Sequence, residues 1–193
     1  LAARALADSL RAYTRGPGFA PRRQLDAAQL DALFMERPPQ QVNGPPTAGQ
    51  HLRVRAAAAL QQRQTNVTWS QATDIIATRA PGFDYRVTQG QTWLDATGSS
   101  WHDNGAVRVA LTVPAGWAGT VYVFLWDWNY LNRAAAVELA GREVAQLPAY
   151  DDEGVWLALP VTAEETAGGS VELVARALAG NVMISELVLA GGE

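Results

Sequence analysis

The stretch that decides the fold is residues 106–113, which read Ala-Val-Arg-Val-Ala-Leu-Thr-Val. Apolar side chains at 107, 109, 111 and 113 fall on one face of an extended chain, whereas Arg108 and Thr112 fall on the other. Successive side chains of a strand point to opposite faces of its sheet. This alternation therefore predicts a β-strand with one buried face.

The same alternation recurs along the second half of the chain, and turn-forming residues separate its repeats. Proline, glycine, asparagine and aspartate occupy these breaks, for example at 114–116, 151–154 and 180–181. Short strands that are separated by turns, with no helical crossovers between them, are typical of antiparallel sheets. We predict strands at 107–113, 120–128, 134–140, 155–161, 170–177 and 182–190, and further strands near 85–88 and 143–147.

Charge and aromatic content divide the chain at the breaker cluster Ala80-Pro81-Gly82. Residues 1–83 hold ten Arg and five acidic residues, whereas residues 84–193 hold five Arg, fourteen acidic residues and six of the seven Trp. About eight antiparallel strands bury their apolar faces best as a two-sheet sandwich, commonly a jelly roll. We therefore predict a mainly β fold: an antiparallel two-sheet β-sandwich (jelly roll) at 84–193, preceded by a short α-helical segment at 1–83.

The segment 1–83 has the composition of helices on irregular connections. Apolar side chains at helical spacing predict helices at 1–13, 24–36, 51–64 and 70–78, the last with Ser70 as its N-cap. The glycine- and proline-rich residues 40–50 predict an irregular surface connection. Such short helices are marginal alone. We expect this arm to be the end of a preceding domain, or to pack on the sandwich or on another chain.

Composition excludes several classes of site and partner. The 193 residues include no Cys, which excludes disulfides, thiolate metal sites and cysteine nucleophiles. A net charge of −4 argues against a nucleic-acid partner. The sequence has no apolar run near the roughly 18 to 20 residues that cross a bilayer, so we predict no membrane span.

No catalytic motif stands out. The sequence lacks a Gly-x-Ser-x-Gly elbow, a phosphate-binding loop and a dinucleotide fingerprint, and its two His are far apart. No pair of carboxylates has a spacing that is recognisable for glycoside hydrolysis. We predict that the chain is not an enzyme and has no catalytic residues.

From Thr88 onward, the order of motifs resembles the galactose-binding-like β-sandwich modules appended to bacterial glycoside hydrolases. The residues that carry the resemblance are Thr88-Gln89-Gly90-Gln91-Thr92-Trp93, Gly98, Trp101, Trp126-Asp127-Trp128, Asn132-Arg133 and Gly180-Asn181-Val182-Met183-Ile184-Ser185-Glu186-Leu187. The resemblance implies a non-catalytic accessory module that binds carbohydrate at the carboxyl end of a larger exported protein. It also implies an extracellular, periplasmic or cell-surface location.

Two clusters have the residue types that hold sugars: Trp101-His102-Asp103-Asn104, and Trp126-Asp127-Trp128-Asn129-Tyr130 continuing to Asn132-Arg133. Proteins stack aromatic rings on sugar faces and direct polar side chains at the hydroxyls, usually from loops at one end of a sandwich. Each cluster also has a structural interpretation: Trp126 as a core residue, Asp127 with Arg133 as a pair that holds a hairpin, and Asn104-Gly105 as a turn. The predicted ligand-binding residues are Trp101, His102, Asp103, Asp127, Trp128, Tyr130, Asn132 and Arg133.

An acidic stretch at 151–154 offers oxygen ligands of the kind that Ca²⁺ takes. It lacks the regular carboxylate spacing of a calcium loop, so a solvated turn is the alternative. Apart from a structural Ca²⁺ at Asp151 and Asp152, we predict no cofactor.

Two functions from different classes are consistent with these features. The first is a carbohydrate-binding module that recognises glycan through exposed aromatic and polar loop residues. The alternative is a structural or assembly subunit whose sandwich docks on other protein chains, with residues 1–83 contacting a neighbour. Burial of Trp101, Trp128 and Tyr130 would weaken the first hypothesis.

Overall fold

The regular structure of this protein is β throughout the residues that its computed structural model describes, 40–56, 74–94 and 98–191. Within these ranges, no helix is long and apolar enough to cross a membrane. The strands are β1 (Gln40–Val42), β2 (Gln50–Arg55), β3 (Ile75–Arg79), β4 (Asp84–Gln89), β5 (Gln91–Leu94), β6 (Ser99–Asp103), β7 (Ala106–Thr112), β8 (Gly119–Leu125), β9 (Arg133–Leu139), β10 (Arg142–Tyr150), β11 (Val155–Val161), β12 (Ser170–Ala179) and β13 (Val182–Ala190).

The strands form two antiparallel sheets. The larger sheet has the order β1-β11-β8-β13-β2-β3, with β6 also paired to β13 and β5 paired to β6. The smaller sheet has the order β10-β9-β12-β7-β4. This arrangement confirms the predicted antiparallel two-sheet sandwich, and each of the eight predicted strands has a counterpart among β4 and β7–β13.

The core lies between the sheets and follows the alternation along each strand. On β8, Val121, Val123 and Leu125 are buried in the core, so Tyr122 and Phe124 face outward on the larger sheet. The central strand β13 is buried along its whole length. Its residues therefore pack on both faces of the larger sheet.

Two predicted helices are wrong where the structure describes them. Residues 51–55 belong to β2 and residues 75–79 to β3, and these two strands pair with each other. In β2, Leu52 and Val54 enter the core, and the strand is hydrogen-bonded to β13. Pairing with a central strand therefore decides the conformation of residues 51–55.

The sandwich therefore includes β1, β2 and β3 from the segment 1–83 that was predicted as a helical arm. β1 pairs with β11 inside the stretch predicted to be irregular. The helices predicted at 1–13 and 24–36 lie outside the described residues.

Tyr150, at the end of β10, gives the fold a pH-dependent stability. Its side chain is buried, and its hydroxyl accepts a hydrogen bond from the backbone N–H of Met183 at 3.3 Å. Burial raises the pKa of Tyr150 to about 12. An unfolded tyrosine ionises near pH 10, so the unfolded state loses its phenol proton first. The associated stabilisation is complete below about pH 10 and is lost as the pH rises towards about 12.

We expect the free energy of unfolding to fall between about pH 9 and about pH 11, and to fall less in Tyr150→Phe, which has no phenol to ionise. Urea unfolding at both pH values measures this difference. Burial and a hydrogen bond to Asp74 also raise the pKa of Tyr85, so Tyr85→Phe belongs in the same series. Equal pH dependence in wild type and Tyr150→Phe would contradict the burial of a protonated Tyr150.

Candidate functional site

The two clusters predicted from the sequence lie at one end of the sandwich, where Asn181 joins them. Asn181 Oδ1 accepts a hydrogen bond from Arg133 Nε at 2.5 Å, and its Nδ2 lies 3.4 Å from His102 Nδ1. β6 ends at Asp103 and β9 begins at Arg133, so both clusters lie where strands meet loops. We call this end of the sandwich the loop end; it comprises connections 104–105, 126–132, 151–154 and 180–181.

Asp127 organises the loop 126–132. Its carboxylate accepts hydrogen bonds from the backbone N–H groups of Leu131 at 3.1 Å and Arg133 at 3.3 Å. Arg133 Nη1 pairs with the same carboxylate and donates to Asn129 Oδ1 at 2.5 Å. The side chains of Arg133 and Asp127 are 0% and 1% exposed. Because both side chains are buried, the prediction that Asp127 and Arg133 contact a ligand is wrong. They form a buried pair that holds the loop.

Trp101 and Trp128 are also inside the protein, with 1% and 3% of their surface exposed. Trp101 Nε1 donates to the Asp74 carboxylate at 3.0 Å. Trp128 packs on Gly98, where a Cβ atom would lie 2.5 Å from the Trp128 Cγ. A ring that stacks on a ligand needs an accessible face, so the predicted stacking role of both tryptophans is wrong.

Tyr130 and Asn132 are the predicted residues that the structure exposes at the tip of the loop. The Tyr130 side chain is 69% exposed, beside an exposed Leu131. Tyr130 and Asn132 have φ angles of 59° and 54°. A left-handed φ costs a non-glycine residue roughly 1–2 kcal/mol. The Asp127 hydrogen bonds offset this strain and fix the direction in which the tip projects.

His102 and Asp103 are partly exposed at the end of β6. The Asp103 carboxylate accepts hydrogen bonds from the N–H groups of Gly105 at 2.7 Å and Ala106 at 3.0 Å. The bond from Gly105 is the main cause that lowers the pKa of Asp103, and burial lowers the pKa of His102. Asp103 therefore stabilises the turn at 104–105.

Asp151 and Asp152 lie in the connection between β10 and β11. The Asp151 carboxylate accepts the N–H of Glu153 at 3.1 Å, and its backbone carbonyl accepts the N–H of Asp127 at 3.0 Å. Within the described ranges, no three His, Asp or Glu side chains are grouped to hold a metal ion. The structural Ca²⁺ at Asp151 and Asp152 stays a prediction.

An aromatic patch lies on the outer face of the larger sheet and was not predicted as a unit. The Phe124 ring is stacked 5.0 Å from the Trp156 ring and 6.0 Å from the Trp126 ring, between ring centroids. All three residues are partly exposed, as is Tyr122 on the same face of β8. We define the aromatic patch as Tyr122, Phe124, Trp126 and Trp156.

The interpretation of Trp126 as a core residue is therefore wrong, because the side chain is partly exposed. It follows the outward positions of β8, and its Nε1 donates to the backbone carbonyl of Asp152 at 2.6 Å. Phe124 and Trp156 are directly opposite each other in the β8–β11 register. The signal for the patch is present in the sequence as aromatic side chains at 122, 124 and 126, alternating with the apolar core positions of one strand.

Gly154 brings the loop 151–154 against this patch. Its φ is 72°, and a Cβ atom there would lie 2.4 Å from the Phe124 Cζ and 3.0 Å from the Leu125 carbonyl oxygen. Only glycine tolerates both the left-handed φ and the close approach. The loop consequently holds Asp152 beside Trp126.

Asp152 connects the aromatic patch to the loop end. Its backbone carbonyl accepts the Trp126 hydrogen bond, and the interaction of its carboxylate with the Tyr130 hydroxyl raises the pKa of Tyr130. The result is a surface with aromatic rings and, at its edge, a carboxylate and a phenol hydroxyl. Such a surface can pack on the C–H face of a ligand while hydrogen-bonding its hydroxyl groups.

Comparisons with protein-family models and with curated proteins give no match to this sequence. Among solved structures, the native structure of a family 35 carbohydrate binding module from Clostridium thermocellum is similar to this chain. The match has a TM-score of 0.35 and 11% sequence identity, and it covers 56% of this chain and 87% of that chain. The strand pairing itself defines the two-sheet sandwich.

Proposed function

We propose that this chain is a non-catalytic carbohydrate-binding module and that glycan binds on the aromatic patch. The observation that carries the proposal is the stack of Phe124, Trp126 and Trp156, three partly exposed rings within 6.0 Å of their neighbours. The solvent face of an antiparallel sheet normally carries polar side chains. A group of large rings on that face is explained by a ligand with an apolar surface of its own.

Sugars match this surface in both chemical respects. Their C–H faces pack on aromatic rings, and their hydroxyls exchange hydrogen bonds with carboxylates, amides and phenols. Asp152 and Tyr130 offer such groups at one edge of the patch, and the exposed Asn132 adds an amide at the tip. The proposed binding surface therefore runs from the patch to the loop end.

A binding role without catalysis is consistent with the shape of this surface. Glycoside hydrolysis needs two carboxylates on opposite sides of the scissile bond. A sheet face contacts a sugar chain from one side only. Together with the sequence resemblance, this supports a module that accompanies a catalytic or surface domain of a larger exported protein.

We expect Trp156→Ala to weaken glycan binding about tenfold, because the loss of one aromatic contact is worth up to about 1.5 kcal/mol. A glycan array with the wild-type chain identifies the ligand, and isothermal titration calorimetry then compares the variants.

Leu178→Ala is the matched control, since it removes an exposed large apolar side chain from the smaller sheet. Its affinity should equal that of wild type. Absence of wild-type signal on the array would contradict the proposal. Equal losses of glycan affinity in Trp156→Ala and Leu178→Ala would exclude the aromatic patch as the binding surface.

A further inference from the structure

A charged cluster borders the aromatic patch on the same face of the larger sheet. In the strand register, Glu186 of β13 lies opposite Phe124 of β8 on one side and opposite Arg55 of β2 on the other. Arg53 lies two residues before Arg55 on β2, on the same face of the strand. We define the Arg–Glu–Arg cluster as Arg53, Glu186 and Arg55.

Both arginines bind one carboxylate through the same kind of atom. Arg53 Nε lies 2.6 Å from Glu186 Oε1, and Arg55 Nε lies 2.6 Å from Glu186 Oε2. The Glu186 side chain is buried, whereas those of Arg53 and Arg55 are 31% and 52% exposed. Because the Nε atoms make these ion pairs, the terminal Nη groups of both guanidiniums lie outside them.

The cluster carries an uncompensated positive charge. Two guanidiniums share one carboxylate, so one positive charge has no partner within the cluster. In the other ion pairs of the part of the chain that the structure describes, arginine never outnumbers acid: Arg108 has Glu172, and Arg176 has both Glu138 and Glu143. Among these ion pairs, the excess of arginine over acid is confined to the Arg–Glu–Arg cluster.

We propose that Arg53 and Arg55 bind an acidic substituent, a carboxylate or a sulfate, on the glycan that occupies the aromatic patch. This rests on the proposed function and specifies its ligand as an anionic polysaccharide. Neighbouring strands lie about 4.8 Å apart, so Arg55, two strands from Phe124, is about 10 Å away across the sheet. That separation places the substituent on a sugar unit next to the one that stacks. A planar guanidinium offers paired donors to an oxyanion.

The net charge of the chain would not by itself make it prefer acidic polysaccharides over neutral ones. The chain has a net charge of −4, which repels polyanions at long range. A preference for the acidic member of a matched pair of polymers must therefore come from a local positive site.

Two pairs of polymers test the proposal with the full chain: polygalacturonate against its methyl ester, and dextran sulfate against dextran. We expect wild type to bind the acidic member of at least one pair about tenfold more tightly, because a hydrogen bond to a charged group contributes more than one between neutral groups. Added salt should reduce that preference. The pair that shows the preference distinguishes carboxylate from sulfate.

Arg55→Gln should abolish the preference while it leaves the Arg53 pair with Glu186 in place. Arg108→Gln is the matched control, because it removes an exposed arginine from the smaller sheet, and it should keep the preference. The ratio of the two affinities within one variant does not depend on the fraction of folded protein. Equal wild-type binding to both members of each pair, or a preference that survives in Arg55→Gln, overturns the acidic ligand and leaves glycan binding intact. Absence of binding to any sugar polymer instead overturns the proposed function.

Discussion

Replacement of Arg133 by alanine is expected to lower the free energy of unfolding by about 3–5 kcal/mol, which is the cost of leaving one partner of a buried ion pair alone. The Arg133 and Asp127 side chains are fully enclosed, and the guanidinium also donates to Asn129 and Asn181. In Arg133→Ala the Asp127 charge stays buried without its cation. The same change removes the hydrogen bonds that connect loop 126–132 to the start of β13.

Urea denaturation at neutral pH measures this loss, and Arg108→Ala provides the control. Arg108 forms a single ion pair with Glu172 at 3.2 Å, with both side chains exposed. Pairs of this kind contribute about 0–1 kcal/mol. Similar destabilisation in the two variants would show that Arg133 is solvated in solution. The double variant Asp127→Ala, Arg133→Ala should lose less than the sum of the single variants, because the two side chains depend on each other.

The strands that could be predicted from the sequence are those in which apolar and polar residues alternate. β7, β8 and β11 each bury one face, so their patterns are regular and their register follows. β6 reads Ser-Ser-Trp-His-Asp, and its first three residues are all buried. A strand covered on both faces has no polar side to alternate with, and polar residues there do not signal a strand.

β2 was missed for a different reason. Leu52 and Val54 alternate with Arg53 and Arg55, but an alanine-rich run follows, and its helical propensity dominated the longer window. The long-range pairing of β2 with β13 joins residues that are more than a hundred positions apart. Propensity over a short window contains no information about such a partner.

The sequence predicted ligand-binding residues at the loop end, whereas the aromatic patch was not predicted. Trp126 and Trp128 have the same parity in the sequence, which places both on one face of an ideal strand. β8 ends at Leu125, and the chain then turns, so Trp126 remains outside while Trp128 packs on Gly98. The point where a strand ends therefore decides which aromatic residue meets solvent.

Gly154→Ala is expected to impair stability and ligand binding together. A left-handed φ disfavours alanine by roughly 1–2 kcal/mol, and forcing a methyl group into a packed contact costs about 1–3 kcal/mol more. The added Cβ would lie 2.4 Å from the Phe124 ring and 3.0 Å from the Leu125 carbonyl oxygen. The ring must move, and with it the stack that it forms with Trp126 and Trp156. We expect a total loss of about 2–5 kcal/mol in the free energy of unfolding and weaker binding of whichever glycan the array identifies.

Gly141→Ala separates the cost of the left-handed φ from the cost of the contact with Phe124. Gly141 has a φ of 76°, close to that of Gly154, but a Cβ atom there has no heavy atom within 4 Å. It therefore carries the backbone strain without the contact, and its variant should lose only about 1–2 kcal/mol and bind glycan as wild type does. The difference between the variants in urea unfolding measures the packing of the loop on Phe124. If Gly154→Ala matches Gly141→Ala in both stability and affinity, loop 151–154 does not press on the aromatic patch. Asp152 would then not be positioned by the loop for a bound sugar.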